Sequence, residues 1–410
     1  MGNFNKLTVD LISNILTRLP AETVLDCKLV SKSWNKLISH QSFSQSHLNR
    51  CLNNLDSAGA SDGKFTFLFV NNNPLYAYRQ FHYLEYAENS SSEEQPFHRI
   101  TRMKLNPAPF KHYSVTGCCN GLVCLNGFYD NDGENYEPVY ICNPITRECV
   151  FLPEFERTDD RGERLLTGFG YVSKTNEYKV VRMYELLKEP DSVHVEVYTL
   201  GSGKGWRNLG KKFDKDLDSF ISIRGGGVVG SGLESICWQL KTGKVVIFEL
   251  SSEMIYEIPT NFYTTWAYKL GVLGGCLSGT YYDKETDTYE ILLLKKKTEN
   301  GPFKWTEEFK LSCTDAHEWL ALTSRRALLC CSKTKVLVHD LNSLSSKLLV
   351  DFGKDKRIHQ AIPHINTLVS LKALGEENTK TMETTDIPRE VLEAYKSQFE
   401  KQQMVICVQQ

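Results

Sequence analysis

The feature that most constrains the fold is a two-residue alternation of apolar and polar side chains. It begins near residue 64 and recurs in short runs rich in β-branched and aromatic residues, such as 65–70, 193–200 and 245–250. Successive side chains of a strand point to opposite faces of a sheet, so this period predicts β-strands. Asn120-Gly121 separates two such runs and predicts a tight hairpin turn between antiparallel strands.

Pairs of these strands form an internal repeat. A strand, a turn and a second strand are predicted at residues 139–152, 195–209, 245–258, 290–311 and 336–349. The equivalent points are Tyr140, Tyr198, Phe248, Leu293 and His339. Their steps of about 45 to 58 residues are near the roughly 50-residue period of a kelch blade. The repeat therefore predicts a β-propeller. A large β-sandwich stays the alternative, because the double glycine of kelch repeats is mostly missing.

Residues 7–48 have a helical pattern instead. Apolar residues of the first predicted helix recur at helical spacing: Leu7, Leu11, Ile12, Ile15, Leu16 and Leu19. Pro20 ends this helix, a second is predicted to begin near Thr23, and a third to carry Trp34 and Ile38 on one face. Three short helices cannot bury so many large apolar groups. Part of their surface is therefore expected to bind a partner.

The change of period divides the chain into domains. We predict a three-helix domain at residues 1–50, a polar linker at 51–63, a propeller-like β domain at 64–374 and a polar tail at 375–410. Val391, Leu392, Tyr395 and Phe399 predict a short amphipathic helix within that tail. The expected fold class is multidomain, with α-helical and all-β parts.

Charge and targeting signals limit the cellular compartment and the kinds of partner that we expect. The formal net charge is −2, from 48 basic and 50 acidic residues, so no global field favours nucleic acid. The first 19 residues lack the features of a secretion signal, so the thirteen cysteines are expected to be free thiols. No run approaches the roughly 18 apolar residues of a membrane span. We expect a protein of the cytoplasm or nucleus that binds proteins rather than membranes.

The sequence lacks the common motifs of metal binding and of catalysis. No two cysteines have the spacing of a zinc knuckle, and His317-Glu318 lacks a second histidine four positions later. No serine lies in a Gly-x-Ser-x-Gly elbow. The sequence therefore predicts no catalytic residue, no metal and no cofactor.

Residues 7–20 (LTVDLISNILTRLP), Leu25 and residues 29–38 (LVSKSWNKLI) together resemble the F-box. One departure is Thr8, where the family usually has proline. The resemblance implies binding to a Skp-type adaptor and, through it, to a cullin. The residues expected to bind the adaptor are Leu7, Leu11, Ile12, Ile15, Leu16, Leu19, Pro20, Leu25, Val30, Trp34 and Ile38.

The β region resembles the plant F-box-associated domain, a kelch- or galactose-oxidase-like fold. Residues 114–125, 142–147, 168–171, 176–182 and 195–200 follow the pattern of that domain in order. The two resemblances together imply a plant F-box protein.

The function implied is that of a non-catalytic substrate receptor. Such a subunit bridges a Skp-type adaptor and an unknown target protein for ubiquitination and proteasomal degradation. Two alternatives stay open at this point: a propeller enzyme or sugar-binding protein with a helical cap, and an F-box scaffold outside any ligase. Neither alternative is decided by the residues alone.

Overall fold

The protein is seen in a computed structural model. Its described residues are 7–58, 64–73, 76–88, 97–103, 112–131, 134–136, 138–153, 161–186, 188–213, 228–230, 234–259, 268–296, 303–312, 318–323, 325–354 and 357–382. They form an N-terminal helical domain followed by six β-sheets arranged in a ring.

The helical domain has four helices: α1 (Val9–Leu16), α2 (Ala21–Cys27), α3 (Lys32–Ile38) and α4 (Gln41–Ala58). Side-chain hydroxyls cap the N-termini of α1 and α3. Thr8 Oγ1 accepts a hydrogen bond from the backbone N–H of Leu11 at 3.4 Å, and Ser31 Oγ accepts one from the backbone N–H of Trp34 at 3.2 Å. α2 begins directly after Pro20, before the predicted start at Thr23. A proline has no N–H to donate, so it fits the start of a helix.

The fourth helix corrects two sequence predictions. The domain has four helices rather than three, and α4 continues through Ala58 into the range 51–63 that was predicted as a linker. α4 buries Phe43, His47 and Leu48 on one side. Much of the rest of the helix is polar, so its composition resembles that of a linker although its backbone is helical.

Each sheet is one blade of the propeller, and each blade has at least four antiparallel strands. Blade one contains β1 (Lys64–Asn73), β2 (Tyr76–Ala87), β3 (Phe97–Met103) and β25 (Arg357–Pro363). Blade two contains β4 (His112–Cys119), β5 (Leu122–Asn131), β6 (Glu134–Tyr136), β7 (Val139–Asn143), β8 (Glu148–Phe151) and β26 (Lys380–Thr381). Blade three contains β9 (Arg161–Val172), β10 (Glu177–Leu186), β11 (Glu189–Thr199) and β12 (Trp206–Phe213).

The second half of the ring is built in the same way. Blade four contains β13 (Val228–Gly230), β14 (Ser235–Gln239), β15 (Val245–Glu249) and β16 (Ile255–Ile258). Blade five contains β17 (Tyr268–Leu273), β18 (Cys276–Asp283), β19 (Thr288–Lys296) and β20 (Phe303–Ser312). Blade six contains β21 (Glu318–Leu322), β22 (Ala327–Cys331), β23 (Lys335–Asp340) and β24 (Ser346–Asp351).

The ring is closed by pairing between the two ends of the β region. The innermost strands β25, β4, β9, β13, β17 and β21 contact one another in turn around the axis. β25 pairs with β1, so blade one takes its inner strand from the C-terminal end of the propeller and its other strands from the N-terminal end. This closed arrangement confirms the predicted propeller and excludes the β-sandwich.

The predicted repeat corresponds to the third and fourth strands of blades two to six. Its five reference residues lie on the third strands β7, β11, β15, β19 and β23. The repeat missed blade one, whose innermost strand β25 is separated in the sequence from its other three strands by the other five blades. The predicted hairpin turn is also present, with φ of 50° at Asn120 and 83° at Gly121 between β4 and β5.

The hydrophobic core lies between adjacent blades rather than at one centre. Six buried clusters join neighbouring sheets around the ring. A seventh cluster fills the helical domain and also contains Leu368 and Ile145 from the β region. Sheets packed face to face in this way bury both surfaces of each blade, which explains the near-continuous apolar strands of residues 245–250 and 327–331.

The C-terminal part of the propeller extends beyond its predicted limit at residue 374. After β25 the chain crosses the end of blade two, and β26 then pairs with β8 on the outer edge of that blade. Residues 375–382 therefore belong to the propeller rather than to a tail. The predicted amphipathic helix at residues 391–399 lies outside the described residues.

Candidate functional site

Helix α1 and the residues that flank it carry two apolar stripes. Ile12, Leu16 and Leu19 face the interior of the helical domain and pack in its core cluster. The second stripe, Leu7, Leu11 and Ile15, is offset by one residue, with Leu11 53% and Ile15 47% exposed. A helix needs one apolar stripe to pack against its own domain. The second stripe is therefore available to a partner.

The turn after α2 adds two further apolar side chains to the surface. Leu29 is 87% exposed and Val30 is 64% exposed. Val9, in the first turn of α1, is 64% exposed. The described residues expose ten large hydrophobic side chains, and five of them lie between residues 9 and 30. This concentration on one small domain is what a protein-binding surface requires.

The structure divides the eleven predicted adaptor-binding residues into three groups. Leu11, Ile15, Pro20 and Val30 are exposed, whereas Leu7, Ile12, Leu19, Leu25 and Trp34 are partly buried. Leu16 and Ile38 correct the predicted set of contact residues. They are 1% and 3% exposed and lie in the core of the helical domain. They hold the helices together and offer no surface for contact.

Sequence reasoning missed Val9 and Leu29. Local spacing in the sequence gives no signal for either residue. Val9 has the i, i+3, i+7 spacing of the inner stripe with Ile12 and Leu16, so its exposure in the first turn of α1 does not follow from the pattern. Leu29 lies in the turn after α2, where no regular period shows which side chains face solvent.

The helical domain sits directly on the propeller. Leu48 of α4 belongs to the buried cluster between blades two and three, together with Leu122 and Val180. Leu368, from the segment after β25, belongs to the core cluster of the helical domain. The apolar surface on α1 and the turn after α2 is therefore carried by a domain that is anchored to the ring.

Six of the cysteines in the described part of the chain are buried, which indicates that they pack in the core. The eleven that the structure describes are free thiols. Burial raises the pKa of Cys124, Cys237 and Cys330 to about 12, so these thiols stay protonated and are weak nucleophiles. Across the described ranges, no group of three or more His, Cys, Asp or Glu residues could hold a metal ion.

One cysteine–histidine contact needs separate consideration. Cys118 Sγ lies 3.0 Å from His364 Nδ1. Burial raises the pKa of the Cys118 thiol well above its ordinary value and lowers the pKa of His364 to about 4. Both groups are therefore neutral at pH 7, as a thiol and an imidazole. An activated nucleophile would be a thiolate beside an imidazolium, so this pair has a structural role.

Among the described helices, none combines the length and the apolar character that crossing a membrane would need.

Two family models match the chain. Residues 64–338, well over half of the sequence, match the family described as "F-box associated beta propeller domain". Residues 4–46 match the family described as "F-box domain". The two matched ranges correspond to the helical domain and to most of the ring.

Curated relatives from Arabidopsis thaliana are similar over most of the chain. One F-box protein is 25% identical over 310 residues, covering 68% of this chain and 67% of the relative. A second is 26% identical over 368 residues, covering 83% and 82%. A protein named as an F-box/kelch-repeat protein is 26% identical over 291 residues, covering 68% and 73%.

Proposed function

This chain belongs to the plant F-box proteins that carry an F-box associated beta propeller domain, and we propose that it is the substrate-recognition subunit of a Skp–cullin–F-box ubiquitin ligase. The helical domain, here called the F-box, binds a Skp-type adaptor and through it a cullin. The propeller binds a target protein, in the cytoplasm or the nucleus. A separate ubiquitin-conjugating enzyme performs the chemistry.

The observation that supports this proposal most strongly is the second apolar stripe of α1 together with Leu29 and Val30. Burying one such side chain contributes about 1.5–3 kcal/mol. Five of them at one interface offset a substantial part of the cost of ordering two proteins against each other. Their position on the domain that matches the F-box family favours the adaptor as the protein that covers them.

A receptor of this kind acts through proximity. Holding a target lysine near a charged conjugating enzyme raises the effective concentration of the lysine, and no catalytic residue is needed on the receptor. The protonated Cys124 thiol and the neutral Cys118–His364 pair are weak nucleophiles.

The test is affinity purification of the full chain from plant cells. The wild type is compared with a variant that carries Ile15→Asp and Leu29→Asp, and with the control Leu344→Asp, which changes a 61% exposed leucine on blade six. Skp and cullin should co-purify with the wild type and the control and be lost from the double variant. Their absence from the wild type, or their retention by the double variant, would contradict the proposal.

Target lifetime provides a second readout. The double variant has an unchanged propeller, because both substitutions lie in the F-box. It should therefore bind the target without delivering it to the ligase. Proteins captured by proximity labelling with the proteasome blocked should therefore persist longer in cells that express the double variant. A target that is degraded equally fast with both forms is not a substrate of this receptor.

A further inference from the structure

We propose that residues 364–382 form a clasp that holds the F-box in one fixed orientation on the propeller. Asn143, Asn366 and Leu368 act as positioning residues in this clasp. Its importance for ubiquitin transfer depends on the function proposed above, whereas its effect on orientation does not. The clasp begins where the ring-closing strand β25 ends and finishes at Met382, just after β26.

The clasp completes the core of the F-box. Leu368 is 5% exposed and packs in the buried cluster that contains Leu16, Val24, Ile38 and Phe43. Every other buried member of this cluster comes from the helices or the turn before α2. The F-box therefore has part of its core supplied from the opposite end of the chain.

Polar contacts accompany this packing. Ser44 Oγ in α4 donates a hydrogen bond to the backbone carbonyl of Leu368. The side-chain amide of Asn366 donates to Glu22 Oε1 in α2 at 2.6 Å. Two different helices are thus attached to the clasp, one at the buried leucine itself and one two residues before it. A rotation of the F-box would break both hydrogen bonds.

The same short stretch is fixed to blade two. Asn143 Nδ2 donates to the backbone carbonyls of Thr367 at 3.1 Å and Val369 at 2.7 Å. Asn143 is completely buried, and its Oδ1 accepts from the backbone N–H of Ile145 at 2.9 Å. Its amide therefore joins the turn after β7 to the residues that flank Leu368.

Further contacts fix the clasp along its length. Thr367 Oγ1 donates to the carbonyl of Asn120 at 2.6 Å, and Ser370 Oγ donates to Glu148 Oε1 at 2.9 Å. Glu376 reaches blade three, where its carboxylate accepts from the backbone N–H of Gly201 at 2.7 Å. The clasp is consequently attached to the turns of two blades before β26 joins the edge of blade two.

These contacts leave the F-box little freedom relative to the ring. Leu48 adds a direct apolar contact, because it lies in the cluster between blades two and three. A fixed orientation sets the distance between a target held by the propeller and an adaptor held by the F-box. The clasp would then determine which target lysines come within reach of the conjugating enzyme.

Distance measurements between the two domains test the clasp. Spin labels are attached through unnatural amino acids at Lys36 on α3 and Lys284 on blade five, which are both exposed. The full chain should give a narrow distribution of label distances. Asn143→Asp keeps the acceptor for Ile145 but removes both amide donations, so it should broaden the distribution. Asn342→Asp, in an exposed turn of blade six, is the matched control and should leave it unchanged.

A second variant keeps the test decisive if Asn143→Asp fails to fold. Ser44→Ala combined with Asn366→Ala removes the two polar contacts to the F-box and leaves every apolar core side chain in place. It should broaden the distribution and speed amide exchange in α1–α3 by about tenfold, while exchange in β14 and β15 is unchanged. An unchanged distribution in this double variant would overturn the clasp.

Binding to the purified adaptor separates the two proposals. The double variant should bind the adaptor within about threefold of the wild type, because the solvent-facing stripe of α1 is intact. Failure of the wild type to bind the adaptor would refute the proposed function. The distance distributions would still report on the clasp in that case.

Discussion

The side-chain amide of Asn366 donates a 2.6 Å hydrogen bond to the carboxylate of Glu22, across 344 positions of sequence. Glu22 belongs to the second helix of the F-box and Asn366 to the segment that leaves the innermost strand of blade one. The contact shows that the F-box and the propeller are packed against each other rather than tethered. Stability and function of the two domains should therefore be coupled, which leads to the following predictions.

Two adjacent residues of α1 should separate adaptor binding from stability. Ile15 is exposed and Leu16 is buried. We expect Ile15→Asp to weaken adaptor binding by about thirtyfold or more, as for an interface hot spot, and to change the free energy of unfolding by less than about 1 kcal/mol. Leu16→Ala should lower that free energy by about 2–5 kcal/mol because it leaves a cavity. Calorimetric titration and urea denaturation measure the two effects. A large loss of stability in Ile15→Asp would contradict this assignment.

Two glycines with similar backbone angles should respond differently to alanine. Gly121 has φ of +83°, and a Cβ there would lie 2.3 Å from Thr367 Oγ1 in the clasp. Gly203 has φ of +67° and nothing within 4 Å of such a Cβ. Gly203→Ala should cost about 1–2 kcal/mol from the left-handed backbone alone. Gly121→Ala should cost about 1–3 kcal/mol more from overpacking. Equal losses in urea denaturation would show that the clasp is not tightly packed on the hairpin turn.

His364 should make the protein sensitive to acid. Burial lowers its pKa to about 4, and the neutral ring contacts Cys118 through Nδ1 and Asn366 through Nε2. Because the folded-state pKa lies below the unfolded value of about 6.5, the unfolded chain binds the extra proton first. This contribution is fully present above pH 6.5 and is lost as the pH falls towards 4, by about 1.4 kcal/mol for each pH unit.

The matched variant for this prediction is His364→Gln, which cannot titrate. Between pH 7 and pH 5 the wild type should lose about 2 kcal/mol more stability than the variant. His47, whose pKa burial also lowers, is present in both proteins and cancels in the comparison. Identical losses in the two proteins would mean that His364 is already protonated or accessible in the folded state.

We expect the ion pair of Arg182 and Glu196 to constrain the packing of blade three rather than to raise the free energy of unfolding. Both side chains are buried, and Glu196 Oε2 accepts from the guanidinium at 2.6 and 2.8 Å. Glu196→Gln should destabilise the protein by about 3–5 kcal/mol, because it leaves a buried charge without its counterion. The double variant Arg182→Met with Glu196→Leu should lose less than the single variant in thermal or urea unfolding. A double variant that is less stable than Glu196→Gln would contradict this account.

Local periodicity was sufficient to predict the first three helices, many of the strands and the general architecture. The strands from blade two onwards are short runs rich in apolar residues, and the reference residues of the repeat, such as Tyr140 and Phe248, all lie on third strands. α1 and α3 follow from their apolar spacing and their hydroxyl caps. These signals depend on neighbours within about ten residues, which a single sequence displays directly.

Contacts between distant residues could not be predicted in the same way. Asn143 reads locally as a turn residue, yet its amide binds carbonyls more than 220 positions later. Leu368 lies in a stretch without regular secondary structure, and its burial depends on helices at the other end of the chain. For the same reason the pattern could not tell the buried Leu16 and Ile38 from the exposed Ile15 and Leu29.

The most direct test of the receptor assignment is calorimetric titration of the purified full chain with a purified Skp-type adaptor. The account predicts a one-to-one complex with submicromolar affinity, formed equally by the control Leu344→Asp. It predicts no measurable heat with the variant that carries Ile15→Asp and Leu29→Asp, provided that this variant unfolds at the same urea concentration as the wild type. Absence of binding by the folded wild type, or equal binding by the double variant, would contradict the central claim.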